Sequence, residues 1–312
     1  MTKPTLLVTG GSGFLGSWVV RLAHSDWRVT ATYLRHPANG RSVSWRELDV
    51  REEPAVETLM QDVRPNAVVH AAAINPGQGS AFEAVNTLGT RNVARAAAGV
   101  GTRLIHVSTD VLFDGEKSPS GGYVEEDPPS PITPYGWSKA LAERAVRSAD
   151  VRGVIVRTSL IYGPAATVDD APLLETPWQE WDRQTRWVIG DLKAGKPLHL
   201  FTDEIRCPIW VGSLASALIE LAASDRIGRH GPELLHVAGA QPLSRYAFGL
   251  RLARFHGADP AGIVPTLSRE SGMSRPLDCT LNCSRARALL RTPLPGVDQA
   301  LGLQVAGTEE RS

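Results

Sequence analysis

Short apolar runs alternate with helical stretches through the first half of the chain. The runs are almost continuously apolar, which is typical of strands buried on both faces of a parallel sheet. Between them, apolar residues recur at helical spacing. The pattern predicts an α/β fold with a doubly wound parallel sheet. The predicted strands are 5–10, 27–33, 45–50, 66–73, 102–109 and 152–163, and the predicted helices are about 14–23, 55–63, 81–100 and 138–149.

A glycine-rich loop, TGGSGFLG at 9–16, directly follows the first strand and opens the first helix. In this position one glycine permits a tight turn, another lets the backbone approach a pyrophosphate, and the last allows close packing of helix on strand. The helix N-terminus offers unpaired N–H groups to the phosphates. The loop predicts a Rossmann-type dinucleotide site, with candidate cofactor-binding residues Gly10, Gly13, Phe14, Leu15 and Gly16.

The end of the second strand bears on the choice of nucleotide. NAD-binding sites usually carry an acidic residue there, whereas this chain has Arg35 and His36 and no acid. A guanidinium can hold a 2′-phosphate with two hydrogen bonds. We therefore expect NADP(H) to be favoured and leave NAD(H) open, since Arg35 could also be an ordinary surface residue.

The alternation of strands and helices stops after Gly163. Residues 164–196 form a long, irregular stretch with Trp178, Trp181 and Trp187, and a strand, a loop and a helix return over about 197–240. We predict a dinucleotide-binding domain over 1–163, rejoined by roughly 197–240. A smaller, mostly helical substrate-binding region would comprise 164–196 and 241–306.

Composition excludes several classes of protein. Lys and Arg together number 33, as do Asp and Glu, so a chain-wide electrostatic grip on nucleic acid or membrane is not expected. No apolar run is long enough to span a bilayer, and the first residues lack a signal peptide's apolar region. Three cysteines without an export signal suggest reduced thiols in a cytoplasmic protein. No metal site is expected, because the cysteines and histidines lack ligand spacing.

The segment PYGWSKALAE places Tyr135 and Lys139 four residues apart at the predicted start of a helix, and hence on one face. Such a pair also occurs by chance on solvated helices, and Glu143 could pair with Lys139 there. The spacing alone leaves both interpretations open.

Four pieces of sequence together resemble the extended short-chain dehydrogenase/reductase family, and most closely its dTDP-4-dehydrorhamnose reductase branch. The pieces are TGGSGFLG, HVSTDVLFDG at 106–115, YVEEDPPSPITPYGWSK at 123–139, and RPLDCTLNCSRAR at 275–287. The resemblance implies a cofactor-dependent reduction of the 4-keto group of a nucleotide-linked deoxysugar. It also implies catalytic residues Thr109, Tyr135 and Lys139.

The chemistry of reduction explains these residue types. Reducing a ketone needs a hydride at carbon and a proton at oxygen, and the Tyr135 phenol can supply the proton. Lys139 is expected to lower the pKa of Tyr135 and, by the resemblance, to bind the nicotinamide ribose. Thr109 would hydrogen-bond the substrate oxygen.

The resemblance implies further contacts. On the cofactor side they are Asp49, Val50, Ala71, Ala72, Ala73 and Asn86, and on the substrate side Asp110 and Arg206. Trp178 is a further candidate substrate contact, because an indole can stack on a sugar or a base. For each of these residues simple packing is an alternative, and for Arg206 so is an internal ion pair. The WVGSLA segment at 210–215 lacks acidic residues that family members carry there, which puts the exact substrate in doubt.

Three functions stay open. The first is an NAD(P)H-dependent keto-sugar nucleotide reductase. The second is an epimerase, dehydratase or ketone reductase of the same fold, and the third is a non-catalytic NADP-binding regulatory subunit. A homodimer is also left open.

Overall fold

The structure, a computed structural model, describes residues 2–36, 43–116, 121–166 and 176–303. The strands are β1 Thr5–Thr9, β2 Arg28–Tyr33, β3 Ser44–Glu47, β4 Ala67–His70, β5 Arg103–Thr109, β6 Gly153–Thr158, β7 Ile161–Tyr162, β8 Leu198–Phe201, β9 Ile205–Arg206, β10 Ile209–Trp210, β11 Pro232–His236, β12 Leu243–Ser244 and β13 Ile263–Thr266. The α-helices are α1 Phe14–Ala23, α2 Glu53–Val63, α3 Thr90–Gly99, α4 Pro134–Ser148, α5 Arg183–Lys193, α6 Val211–Ala223, α7 Arg245–Phe255, α8 Ser284–Leu289 and α9 Val297–Ala300. A π-helical stretch, Glu83–Gly89, leads directly into α3.

Seven strands form one parallel sheet in the order β11-β6-β5-β4-β1-β2-β3. This confirms the predicted doubly wound α/β fold. Strand order reverses between β1 and β4, which makes the carboxyl ends of these two strands the switch point where such sheets bind ligands.

Helices cover both faces of the sheet. On one face α1 and α6 pack together, with Trp18 and Leu218 in the apolar core beneath them. On the other face α2, α3 and α4 lie side by side over Leu104 and Ile155 of the sheet, and Val146 of α4 is buried in the same core. Burial on both faces accounts for the continuous apolar runs of the central strands.

The run predicted as one strand over 152–163 is divided in the structure. β6 ends at Thr158, and β7 leaves the main sheet to pair with β10. The break falls at Ser159, whose hydroxyl donates to Asp110 Oδ2 at 2.5 Å and so takes part in a side-chain contact beside β5. The apolar sequence continues through the break, so the run gave no signal of it.

The second half of the stretch predicted to be irregular is a helix, α5. Asp182 caps it by accepting hydrogen bonds from the backbone N–H groups of Gln184 and Thr185. Its buried residues Val188 and Ile189 join Phe248 and Leu252 of α7 in an apolar core apart from the sheet. The packing on the two faces of the sheet is counted as the first core, and this one as the second. The missed signal was the cap followed by apolar residues at helical spacing.

The end of the chain returns to the first core. Cys279, Cys283 and Leu294 are buried there together with Cys207 of the segment after β9. Within the described residues, no helix is long and apolar enough to cross a membrane.

Candidate active site

The glycine loop fits against the end of β4 so closely that side chains are excluded. Gly10 has a φ of +68°, and a Cβ on it would lie 2.7 Å from the Ala72 Cα. A Cβ on Gly16 would lie 2.1 Å from the Gly10 carbonyl oxygen. The loop is anchored by the Gly10 N–H, which donates to Thr32 Oγ1 at 3.1 Å. These residues leave bare backbone at the switch point, as a bound pyrophosphate requires.

The other two residues predicted in this loop begin α1. Phe14 is half-buried, and Leu15 is buried in the core under the helix. The residues predicted after β4, Ala71, Ala72 and Ala73, are half-buried beside the loop. The atoms that Gly10 approaches are backbone atoms of Ala71 and Ala72, so the close contact depends on the absence of a side chain at Gly10.

Asn86 fixes the segment that follows these alanines. Its Oδ1 accepts from the Ile74 N–H at 2.9 Å, and its Nδ2 donates to the Ile74 carbonyl and to Ser138 Oγ. Asn86 is fully buried. Its polar atoms therefore tie the cofactor side of the cleft to α4, and a direct contact with a cofactor is not needed to explain it.

The predicted adenine-side residues lie beyond β3. Asp49 accepts a hydrogen bond from Arg51 Nε at 2.9 Å, and this bond lowers the pKa of Asp49. Val50 is buried, and a Cβ on Gly89 would approach its side chain to 2.6 Å. Arg35 is exposed two residues after β2 ends.

The start of α4 is held against the end of β5. Thr133 caps the helix by accepting from the Gly136 N–H at 3.0 Å, and Pro134 occupies its first turn. A Cβ on Gly136 would lie 2.4 Å from the Val111 carbonyl oxygen. Glycine at this position therefore lets Tyr135 come close to Thr109.

Tyr135 is half-buried, with its ring edge-on to Phe82 at 5.9 Å. Burial raises the pKa of Tyr135 to about 12, while the Thr109 hydroxyl, a hydrogen-bonding partner, acts in the opposite direction. The expected lowering of this pKa by Lys139 is wrong for the structure, because burial dominates. A phenol with this pKa keeps its proton at neutral pH, as a proton donor must.

Lys139 is buried one turn further along α4. Its Nζ donates to the Val107 carbonyl oxygen at 2.7 Å. Burial lowers the pKa of Lys139 to about 8, and the Glu143 carboxylate opposes this shift. Lys139 is therefore not a solvated surface residue, which rules out the interpretation of Tyr135 and Lys139 as a chance pair on an exposed helix face.

Asp110 lies directly beside Thr109 and is buried. The Thr109 hydroxyl donates to Asp110 Oδ1 at 3.2 Å, and the Arg206 Nε lies 3.8 Å from Oδ2. Burial raises the pKa of Asp110, and Arg206 and Ser159 oppose this.

Arg206 is directed into the protein. It is 5 % exposed, and its guanidinium donates to the carbonyl oxygens of Pro276 and Leu277. It also lies 3.4 Å from Glu204, which Arg275 contacts as well. The internal ion pair that the sequence left open is therefore present, and sequence reasoning missed the acidic partner Glu204.

The three tryptophans of 164–196 have different surroundings. Trp181 is buried in the second core, and Trp187 is 46 % exposed on α5. Trp178, the predicted substrate contact, is half-buried with its ring against Gly190 of α5. Trp181 is thus a core residue, as in the packing alternative.

Among the predicted residues, Thr109, Asp110, Tyr135 and Lys139 meet where β5 ends and α4 begins. Across the described ranges, no group of three or more His, Cys, Asp or Glu side chains is arranged to hold a metal ion. The structure thus brings together a phenol, a hydroxyl and an ammonium at the carboxyl edge of the sheet, where the glycine loop also lies.

Comparison with known proteins was informative over nearly the whole chain. The family model described as RmlD substrate binding domain matches residues 4–308. The dTDP-4-dehydrorhamnose reductase of Streptomyces griseus is 32% identical over 302 residues, which cover 94% of this chain and 90% of that protein. Methionine adenosyltransferase 2 subunit beta of Mus musculus is 26% identical over 309 residues, covering 95% and 86%.

Among solved structures, that of Bacillus anthracis dTDP-4-dehydrorhamnose reductase in complex with NADP has the same fold. Its TM-score is 0.75 at 23% identity, with 96% of this chain and 98% of that chain covered. The family match spans the apolar cores, the glycine loop and α4. The chain belongs to the RmlD substrate binding domain family, in the extended short-chain dehydrogenase/reductase group.

Proposed function

We propose that the protein is an NADPH-dependent reductase of a keto group, most specifically the 4-keto group of a nucleotide-linked deoxysugar. The observation that carries the proposal is the meeting of Thr109, Tyr135 and Lys139 beside the glycine loop. The Streptomyces griseus relative, a dTDP-4-dehydrorhamnose reductase, supports the substrate class.

The cofactor would be held by the chain's own backbone and by two cations. Gly10, Gly13 and Gly16 offer the space for a pyrophosphate, Arg35 would take a 2′-phosphate, and Lys139 would bind the nicotinamide ribose. When bound, the nicotinamide supplies the hydride. NADP is the cofactor named for the Bacillus anthracis protein of the same fold, and NAD(H) stays the alternative.

The remaining steps belong to side chains. Tyr135 donates its phenolic proton to the substrate oxygen as charge develops there. Thr109 hydrogen-bonds the same oxygen and holds it near the phenol. In the structure the single hydroxyl proton of Thr109 is donated to Asp110 Oδ1, and with substrate bound this hydrogen bond would pass to the substrate oxygen. Arg206 holds Asp110 beside Thr109.

A panel of substrates tests the proposal. Steady-state NADPH oxidation should be fastest with a 4-keto-deoxysugar nucleotide, and slower by orders of magnitude with simple ketones. Turnover of a nucleotide sugar without net NADPH consumption would instead assign an epimerase or dehydratase.

A non-catalytic role is the second candidate, favoured by the likeness to the mouse methionine adenosyltransferase subunit. A protein with this role would bind NADPH and leave every keto sugar in the panel unreduced. The placement of Tyr135 beside Thr109, with Lys139 one helical turn further on, argues for catalysis.

Cofactor selectivity should depend on Arg35. We expect Arg35→Ala to weaken NADPH binding by about 1–3 kcal/mol, the range for a hydrogen bond to a charged group, and to leave NADH affinity unchanged. Fluorescence titration of both cofactors measures this. Arg46→Ala, an exposed arginine on the neighbouring strand β3, serves as the matched control. Equal losses for NADPH and NADH would assign Arg35 another part.

The segment from Gly163 to Lys196 should tighten over the substrate. Arg183 at the start of α5 donates to the Pro76 carbonyl at 2.8 Å, so α5 already reaches the loop beyond β4. Residues 167–175 lie outside the described part. We propose that this segment and parts of 240–290 wall the substrate pocket, with Trp178 against the ligand.

Hydrogen exchange tests this wall. Exchange across 176–196 should slow when substrate and NADPH are added together, more than with NADPH alone. Peptides from α2, which packs on α3 in the core of the sheet, give the control. Equal exchange rates with NADPH alone and with NADPH plus substrate would mean that Trp178 and α5 have only a structural packing role.

A further inference from the structure

Two buried polar rows cross the sheet beneath α3 and α4. Thr9, His70 and His106 occupy paired positions on β1, β4 and β5. Thr9 Oγ1 lies 2.6 Å from His70 Nδ1, and the two imidazole rings are stacked at 5.4 Å. The row ends next to Lys139. Burial is the main cause of the lowered pKa of both histidines, and the charge of Lys139 lowers it further.

The second row lies closer to the carboxyl ends of the strands. Ser108, Arg157 and His236 are paired across β5, β6 and β11. The Arg157 guanidinium lies 5.2 Å from the centre of the Phe113 ring, and its Nη1 is 3.5 Å from His236 Nε2. Arg157 is thus fixed from several sides at 2 % exposure.

Glu143 of α4 completes this second row. Its Oε1 accepts from Ser108 Oγ at 2.6 Å and from Arg157 Nε at 3.0 Å, and its Oε2 accepts from Arg157 Nη2 at 2.9 Å. Both charged side chains are almost fully buried. Burying an ion pair rarely adds net stability. The buried Glu143–Arg157 pair is therefore better explained by a role in positioning other groups.

That role is suggested by Lys139, one helical turn before Glu143. The ionisable groups near Lys139 are Tyr135 and Glu143 on its own helix, His70 on β4 and His106 on β5, with Arg157 on β6 behind Glu143. Burial lowers the pKa of His70 to about 3 and lowers the pKa of His106 well below its usual value, so both rings are neutral. Glu143 is therefore the negative charge that stabilises the ammonium.

We propose that Glu143 and Arg157 are positioning residues: their ion pair locks α4 onto β5 and β6, and the Glu143 carboxylate keeps Lys139 charged. The proposal rests on the function proposed above, since it assumes that Lys139 binds the cofactor. It assigns a task to two residues that touch neither the cofactor nor the substrate in that scheme.

The test is the pH dependence of the NADPH dissociation constant, followed by fluorescence from neutral to alkaline pH. In the unaltered protein the affinity falls as Lys139 loses its proton, near pH 8. Glu143→Gln should move this midpoint down by about one pH unit, because a nearby carboxylate is lost. Arg157→Gln, which keeps the carboxylate, should not lower it.

A double variant guards against misfolding. Glu143→Gln with Arg157→Gln removes both halves of the buried ion pair, so neither is left without the other, and it should also lower the midpoint. An unchanged midpoint in both variants that lack the carboxylate, or an equal fall in all three variants, overturns the proposal. Absence of NADPH binding by the unaltered protein would instead contradict the proposed function itself.

Discussion

Replacing Tyr135 with Phe should lower the turnover number for keto-sugar reduction by about two to four orders of magnitude, the range for loss of a general acid. Phenylalanine keeps the ring and its edge-on contact with Phe82, and removes only the hydroxyl that Thr109 adjoins. NADPH affinity should be nearly unchanged, because the substituted group acts on the substrate oxygen. Single-turnover reduction with NADPH prebound measures the chemical step.

Tyr162→Phe is the matched control for this experiment. The Tyr162 hydroxyl is buried in the second core and has no hydrogen-bond partner among the described residues. Its loss should leave turnover within about twofold, since surrounding packing is kept. Near-normal turnover by Tyr135→Phe on the best substrate would remove Tyr135 from the mechanism.

Replacing Arg206 with Leu should lower the free energy of unfolding by about 3–5 kcal/mol, the usual cost of breaking a buried ion pair on one side. The change leaves Asp110 buried without its cation and removes the guanidinium donor from the Pro276 carbonyl oxygen. The Leu277 carbonyl oxygen loses one of two donors and keeps the Ile205 N–H. Urea unfolding followed by circular dichroism measures the loss.

Arg291→Leu offers the comparison at the surface. Arg291 is 93% exposed and lies 3.7 Å from Glu220, so its removal should cost less than about 1 kcal/mol. Arg206 would be a substrate residue after all if Arg206→Leu unfolded like the unaltered protein and lost only substrate affinity.

The parts of this molecule that the sequence predicted are those with local signals. Strand and helix order followed from apolar periodicity, and the glycine loop from its place after β1. The joining of Thr109 with Tyr135 could be stated only through the family resemblance, since 26 residues separate them in the chain. Nothing local to either residue indicates that Gly136 lets the two approach.

Other features depend on contacts between distant segments. Glu204 forms ion pairs with both Arg206 and Arg275. Because the two arginines lie about 70 residues apart in the chain, no local sequence motif indicates this cluster. The raised pKa of Tyr135 reflects burial, which a sequence pattern does not report. Likewise, the sequence analysis did not predict α5, because the stretch that contains it shows no strand–helix alternation.

The first core is built from residues near both ends of the chain, and this affects how the protein folds while it is being synthesised. β6 acquires its outer neighbour β11 only after about 80 more residues, and Cys279, Cys283 and Leu294 enter the same core later still. A nascent chain that has emerged only as far as β6 therefore exposes an unpaired strand edge and an incomplete apolar face. Such species are prone to aggregation, and parallel pairings of this range form slowly. Nearly the whole polypeptide must therefore be synthesised before the predicted cofactor-binding region can complete its fold.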